Sequence, residues 1–146
     1  MKNIIDSFDK VFEQLGQKPL LENHAFQIDN EMKADHFLRF NSVEKDERIR
    51  MMFEISTSGL TFWLDRTNEI PEWSIKFIKD KKDIAERELR QLFESEILVD
   101  YKGNRTRIIL LDKSGIEIRR FSYYQGLSIN WFSSTAKQTF RPYFEN

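Results

Sequence analysis

ILVDYKGNRTRIILLDKSGIEIRRFSYYQGLSINWF, residues 97–132, is the stretch that decides the fold class. β-Branched and aromatic residues dominate it, and turn chemistry interrupts it at regular intervals. Ile97–Lys102 reads as a strand, and Gly103-Asn104 forms a two-residue turn of the kind that tolerates positive φ. Arg105–Leu111 is the next strand, and Asp112-Lys113-Ser114-Gly115 suits a type I turn followed by a glycine bulge. Ile116–Tyr124 follows, then Gln125-Gly126, then Leu127–Phe132. Strands joined by such short turns make an antiparallel β-meander.

Upstream of the meander the hydrophobic period changes from two to that of a helix. Ile84, Ala85, Leu89, Leu92 and Phe93 recur at helical spacing, which predicts a helix over about residues 80–95. Trp73–Ile78 fits either a further strand or a lead into that helix. Arg48–Ser56 and Leu60–Leu64 alternate on either side of Ser58-Gly59 and read as a hairpin with one apolar face. Ala34–Phe40 reads as a strand that begins near His36, and Gln17–Asn30 as irregular, with a short strand at Ala25–Ile28. At the N-terminal end Ile4, Phe8, Val11, Phe12 and Leu15 mark one face of a helix over residues 3–15, which Gly16 and Pro19 terminate. The tail from Ser133 to Asn146 is polar, yet it carries Phe140, Tyr143 and Phe144, which predicts docking on the body. The expected fold is α+β: an antiparallel sheet with two packed helices and a C-terminal meander. No repeat or low-complexity linker divides residues 1–146, so a single domain is expected.

The composition narrows the chemistry. A chain of 146 residues with 13 Phe can build a dense core without metal or disulfide. With no Cys, a structural disulfide, a thiolate nucleophile and a Cys-ligated zinc are excluded. No run approaches the ~18–20 apolar residues of a membrane span, and Asp6 and Asp9 interrupt any signal peptide. The expected location is the cytoplasm. The net charge of −1 conceals an asymmetry: residues 1–73 carry 9 basic and 14 acidic side chains, residues 74–146 carry 14 and 10. Such halves make electrostatically distinct surfaces if the fold keeps them apart, and cancel if it intermixes them.

His24 and His36 lie twelve residues apart, which matches no metal-ligand spacing, and no cofactor or metal is expected. There is no Gly-x-Ser-x-Gly nucleophile elbow and no Gly-rich phosphate loop, so no catalytic residue is assigned. Two groups of residues suggest binding instead. Asp65, Glu69 and Glu72 lie in one loop between Trp63 and Trp73, an arrangement able to steer a basic partner and anchor it on an indole. The competing structural reading is a solvated loop between two core tryptophans. In the meander, Arg105, Arg107, Arg119 and Tyr123 offer phosphate contacts beside an aromatic ring, the chemistry of single-stranded RNA binding on a sheet. Alternation places Arg105 and Arg107 on the face of Ile109 and Leu111.

Small size, absence of Cys and of a catalytic motif, a strand-rich α+β plan, and tryptophans beside an acidic loop together give a general likeness. The chain resembles the bacterial immunity proteins encoded beside contact-dependent and polymorphic toxins. The resemblance implies tight, non-catalytic binding of a cognate toxin domain that occludes its active site or substrate surface. Trp63, Asp65, Glu69, Glu72 and Trp73 are then the expected contact residues, and RNA binding through the meander is the alternative.

Overall fold

The periodicity at the N-terminal end produces the first helix, α1 (Lys2–Gln14), which buries Ile4, Phe8, Val11 and Phe12 along one face. Gly16 stops it at φ 66°, a conformation that costs little only without a Cβ. The amides of Gly16 and Gln17 close back onto the carbonyls of Glu13 and Phe12 at 3.0 and 2.7 Å. A short 3-10 turn, Leu20–Glu22, follows, tied to α1 by the Leu20 amide, which donates to Asp9 Oδ1 at 2.7 Å. The computed structural model describes residues 1–65, 70–124 and 135–145, with residues 70–72 described in their backbone alone.

Five antiparallel strands in chain order form sheet one: β1 (Phe26–Ala34), β2 (Phe37–Ser42), β3 (Met51–Ser56), β4 (Gly59–Leu64) and β5 (Ile70–Ser74). Alternation decides its faces. Leu38, Phe40, Met51, Phe53, Ile55, Leu60, Phe62 and Leu64 are buried, while Phe37, Arg39, Met52, Glu54, Thr61 and Trp63 keep partial exposure. The strand expected at Ala34–Phe40 is two strands: the chain reverses at Asp35-His36, so His36 lies in a hairpin turn, not in a strand. The short strand expected at Ala25–Ile28 is the start of β1, which runs on to Ala34 with its pairing to β2 interrupted between Ile28 and Lys33.

Ser74 ends β5 and begins α2 (Ile75–Asp80), its hydroxyl accepting from the Phe77 amide at 3.1 Å. A break at Lys81 (φ −131°, ψ 45°) separates α2 from α3 (Lys82–Glu94). The helix expected at about 80–95 is therefore α3, and the residues leading into it form a separate turn and a half. α3 buries Ala85, Leu89, Leu92 and Phe93, together with Glu86. The Glu86 carboxylate accepts from Lys10 Nζ of α1 at 2.5 Å and lies 3.6 Å from Lys82 Nζ.

Sheet two contains β6 (Glu96–Lys102), β7 (Arg105–Leu111), β8 (Glu117–Tyr124) and β9 (Thr135–Phe140), in the order β8-β7-β6-β9. The first three are the expected meander. β9 returns to pair antiparallel with β6, from Ile97 opposite Phe140 to Lys102 opposite Thr135, so the four strands have Greek-key order. The strand expected at Leu127–Phe132 lies outside the described residues. The tail docks as its aromatics predict: Phe140, Tyr143 and Phe144 are buried, and the Tyr143 hydroxyl donates to the Ala25 carbonyl at 2.7 Å.

Helices and both sheets contribute to one apolar cluster. Phenylalanine rings hold its centre. Phe8 sits edge-on to both Phe40 and Phe53, each at 5.3 Å, and Phe93 meets Phe12 at 5.2 Å and Phe144 at 5.5 Å. Each such pair adds roughly 0.5–1.5 kcal/mol beyond the area it buries. Among the described residues, no helix is long and apolar enough to cross a membrane.

Candidate functional site

The strand alternation that buries one face of sheet one leaves the other able to meet a partner. On that face Trp63 of β4 stands directly opposite Met52 of β3, and Glu54 stands opposite both Thr61 and Arg39. Arg39 Nε donates to Glu54 Oε1 at 2.7 Å, and its guanidinium also approaches Asp29 of β1 at 3.9 Å. Phe37 lies opposite Ser56 at the neighbouring edge of the patch. The surface thus combines a partly exposed indole, a methionine, an aromatic ring and a braced arginine, the residue types enriched where proteins bind one another.

The structure does not gather the five residues expected around the acidic loop. Trp63 occupies the open face. Trp73 is 8% exposed and packs edge-on against Phe62 at 5.5 Å and near Phe77 at 6.0 Å, so it is a core residue and not a free anchor. Its position follows from register: it lies opposite Leu60, on the buried side of the sheet. Asp65 leaves β4 with φ 53°, and its carboxylate accepts a hydrogen bond from the Tyr101 hydroxyl of sheet two. That carboxylate links the two sheets, which reduces its freedom to steer a partner. Glu69 lies outside the described residues, and of Glu72 only the backbone, in β5, is described.

The basic residues of the meander divide between two faces. Arg105 and Arg107 lie with Ile109 and Leu111, opposite to the buried Ile108 and Leu110. Arg119 and Tyr123 belong to the other face, since they stand opposite Leu110 and Thr106. Arg119 is engaged there: it pairs with Glu88 of α3 at 2.7 Å and covers the Phe121 ring at 5.0 Å. The Tyr123 hydroxyl is buried without a hydrogen-bond partner, and burial pushes its pKa well up. The four expected residues are therefore not one patch. An irregularity in the β7–β8 pairing between Leu110 and Leu111 sets the register, and a one-residue shift there exchanges faces. The true neighbours of Arg105 and Arg107 on β8 are Arg120, Ser122 and Tyr124, opposite Ile109, Arg107 and Arg105. Without the register, sequence reasoning had no basis for choosing Arg120 and Tyr124 over their neighbours Arg119 and Tyr123 as members of this face.

The charge asymmetry has a structural counterpart. α1 and all but the last residue of sheet one come from the acidic half, residues 1–73, whereas α2, α3 and sheet two come from the basic half. His24 and His36 are both exposed and lie in separate turns. Among the described residues, no group of three or more His, Asp or Glu is placed to hold a metal ion. No known family, no curated protein and no solved structure matches the chain.

Proposed function

We propose that the chain is a non-catalytic protein-binding module of the immunity type, which binds a bacterial toxin domain in the cytoplasm and blocks it by covering its working surface. The observation that supports this reading is the open face of sheet one, with Trp63 against Met52 beside the Arg39–Glu54 pair. A flat sheet face held by a phenylalanine core is pre-organised, so little conformational entropy is lost when a partner docks. The acidic half of the chain supplies this sheet, which favours a partner with a basic surface, such as an enzyme that acts on a polyanion.

The test is purification of the native protein from its host with identification of a stoichiometric partner, then titration calorimetry of the pure pair. Trp63→Ala is expected to weaken the complex about 30-fold, the effect of losing ~2 kcal/mol at a hot spot. Co-expression should protect the host from the partner, and the variant should protect less. Undiminished affinity of Trp63→Ala would remove the proposed face. A partner harmless to the host would remove the immunity reading.

A second reading rests on sheet two, where Arg105, Arg107, Arg120 and the 66% exposed Tyr124 share one face. Backbone contacts from the arginines with a base stacked on Tyr124 would bind single-stranded RNA. Affinity for a pyrimidine-rich oligonucleotide would then fall steeply with salt, and Arg107→Gln would lower that slope by about 0.7. Salt-insensitive or absent binding would dismiss it.

A further inference from the structure

The outermost strands of a sheet present backbone groups able to pair with another chain, and proteins guard such edges with proline, irregular pairing or charged side chains. Three of the four edges here are guarded in these ways. β1 carries Asp29, Glu31 and Lys33 where its pairing with β2 is interrupted. β5 contains Pro71, which has no backbone N–H. β9 exposes Lys137, Gln138 and two threonines and no large apolar side chain. β8, by contrast, runs for eight residues without a proline and alternates regularly from Arg119 to Tyr124. Of the five large apolar side chains exposed among the described residues, Ile116, Ile118 and Tyr124 lie on β8 or in the turn before it, and Tyr124 is the most exposed. Its charges are already engaged: Arg119 turns inward to Glu88, and Arg120 pairs with Glu117 of its own strand. Among the described residues, none pairs with the outer side of β8. The chain leaves this sheet at Tyr124, opposite Arg105, and re-enters it at Thr135, opposite Lys102. Lys102 and Arg105 are themselves partners, so exit and entry share one end of the sheet, and the β8 edge runs back from that end.

We infer that β8 pairs antiparallel with β8 of a second copy of this chain, joining two four-stranded sheets into one. The side chains of the strand select this occupant. A two-fold axis normal to the sheet keeps each face on its own side, so a residue stands opposite only residues of its own face. Arg120, Ser122 and Tyr124 form one face, and Arg119, Phe121 and Tyr123 the other. The axis therefore passes through a residue, and the pairs it creates decide which one. An axis at Arg119 or Arg120 sets arginine against arginine, which destabilises a pair of strands. An axis at Phe121 sets Tyr124 against Ile118, where the β7–β8 irregularity disturbs the alternation. An axis at Tyr123 or beyond runs off the end of the strand. An axis at Ser122 suits both faces. Arg120 then stands opposite Tyr124 of the second copy, a cation beside an exposed ring, while Phe121 stands opposite its Tyr123 and the two Ser122 hydroxyls meet. Symmetry makes the Arg–Tyr and Phe–Tyr pairs twice over. The inference uses sheet two alone and holds whether or not sheet one binds a toxin.

Sedimentation velocity of the full chain at rising concentration should show a monomer passing to twice its mass, in the micromolar range that suits a small interface. As the dimer forms, alternate amides of residues 119–124 should exchange more slowly with deuterium. Two substitutions at the axis test the register. Ser122→Lys sets like charges against each other and should weaken the dimer about fivefold or more. The dilute monomer should keep its melting temperature, because Ser122 is exposed. The chain has no Cys, so in Ser122→Cys the single thiol meets its copy, and mild oxidation should give a covalent dimer. Lys137→Cys, on the β9 edge, should oxidise far more slowly. A chain that stays monomeric at every concentration overturns the inference, as does a dimer indifferent to Ser122→Lys or equal oxidation at the two positions. Slowing of the β8 amides only when a cognate toxin is added would assign the edge to a strand of that partner and remove the second copy from it.

Discussion

Two tyrosines with buried hydroxyls in opposite hydrogen-bonding states allow a paired experiment. Tyr143 donates to the Ala25 carbonyl at 2.7 Å, joining the C-terminal segment to the residue that precedes β1. Tyr143→Phe keeps the ring, which stacks on Phe26 at 5.2 Å, but removes one of two donors to that carbonyl, which still accepts the Val43 amide at 2.9 Å. The loss is that of one hydrogen bond, about 0.5–1.5 kcal/mol. Tyr123→Phe removes a hydroxyl that has no partner, so no bond is lost and an existing desolvation cost disappears. At this chain length each kcal/mol moves the melting temperature by about 3 °C. Thermal melts should therefore fall by roughly 2–5 °C for Tyr143→Phe and stay level or rise for Tyr123→Phe. Alkaline pH supplies a second readout, since burial raises both phenol pKa values. An unfolded tyrosine loses its proton near pH 10, while the folded one retains it. The stability each phenol contributes is thus fully present below about pH 10 and is lost as pH rises toward the folded value. Each substitution to Phe should flatten that alkaline decline. Equal destabilisation by the two variants, or an unchanged alkaline slope, would refute the assignment of their hydrogen bonds.

The remaining predictions concern packing and charge. A Cβ at Gly59 would sit 2.1 Å from the Trp73 carbonyl oxygen, so Gly59→Ala should force β4 and β5 apart. The cost, about 1–3 kcal/mol or more, should lower the urea midpoint. Phe93→Ala removes the ring that meets Phe12, Phe53 and Phe144, and should cost about 3–5 kcal/mol with a loss of near-ultraviolet circular dichroism. Lys10→Met should destabilise the chain by leaving the buried Glu86 carboxylate without its nearest cation, and Glu86→Gln in the same background should recover much of the loss. A double-mutant cycle measures that coupling.

Much of this architecture is legible in the sequence where a buried face repeats. α1 follows from Ile4, Phe8, Val11 and Phe12, and β3 and β4 follow from the alternation of Met51, Phe53 and Ile55 with Leu60, Phe62 and Leu64. β9, and β1 beyond Ile28, are not legible, for one physical reason. β9 is exposed along its length apart from Phe140, and β1 is exposed over its second half, so both are strands because their backbones pair with β2 and β6. Burial leaves a periodic trace in a sequence, whereas backbone pairing at an edge leaves almost none. The same limit explains the division of Arg119 and Tyr123 from Arg105 and Arg107. Strand alternation is visible in each strand separately, but the irregularity that aligns β7 with β8 is not. Trp73 shows a related difficulty: its composition suggested an anchor, while its register placed it in the core.

The closing of sheet two by β9 has a consequence for synthesis. A ribosome delivers α1 about 130 residues before Tyr143 and Phe144, against which Phe12 and Phe26 pack. Until then β6 has an open edge and the central rings have an uncovered side. The nascent chain must carry this apolar surface until residues 135–144 emerge, and synthesis cut short before them would release a product without a closed core. Such a product would expose both a sticky strand edge and a patch of phenylalanines, the two features by which quality-control proteases and chaperones recognise unfinished protein.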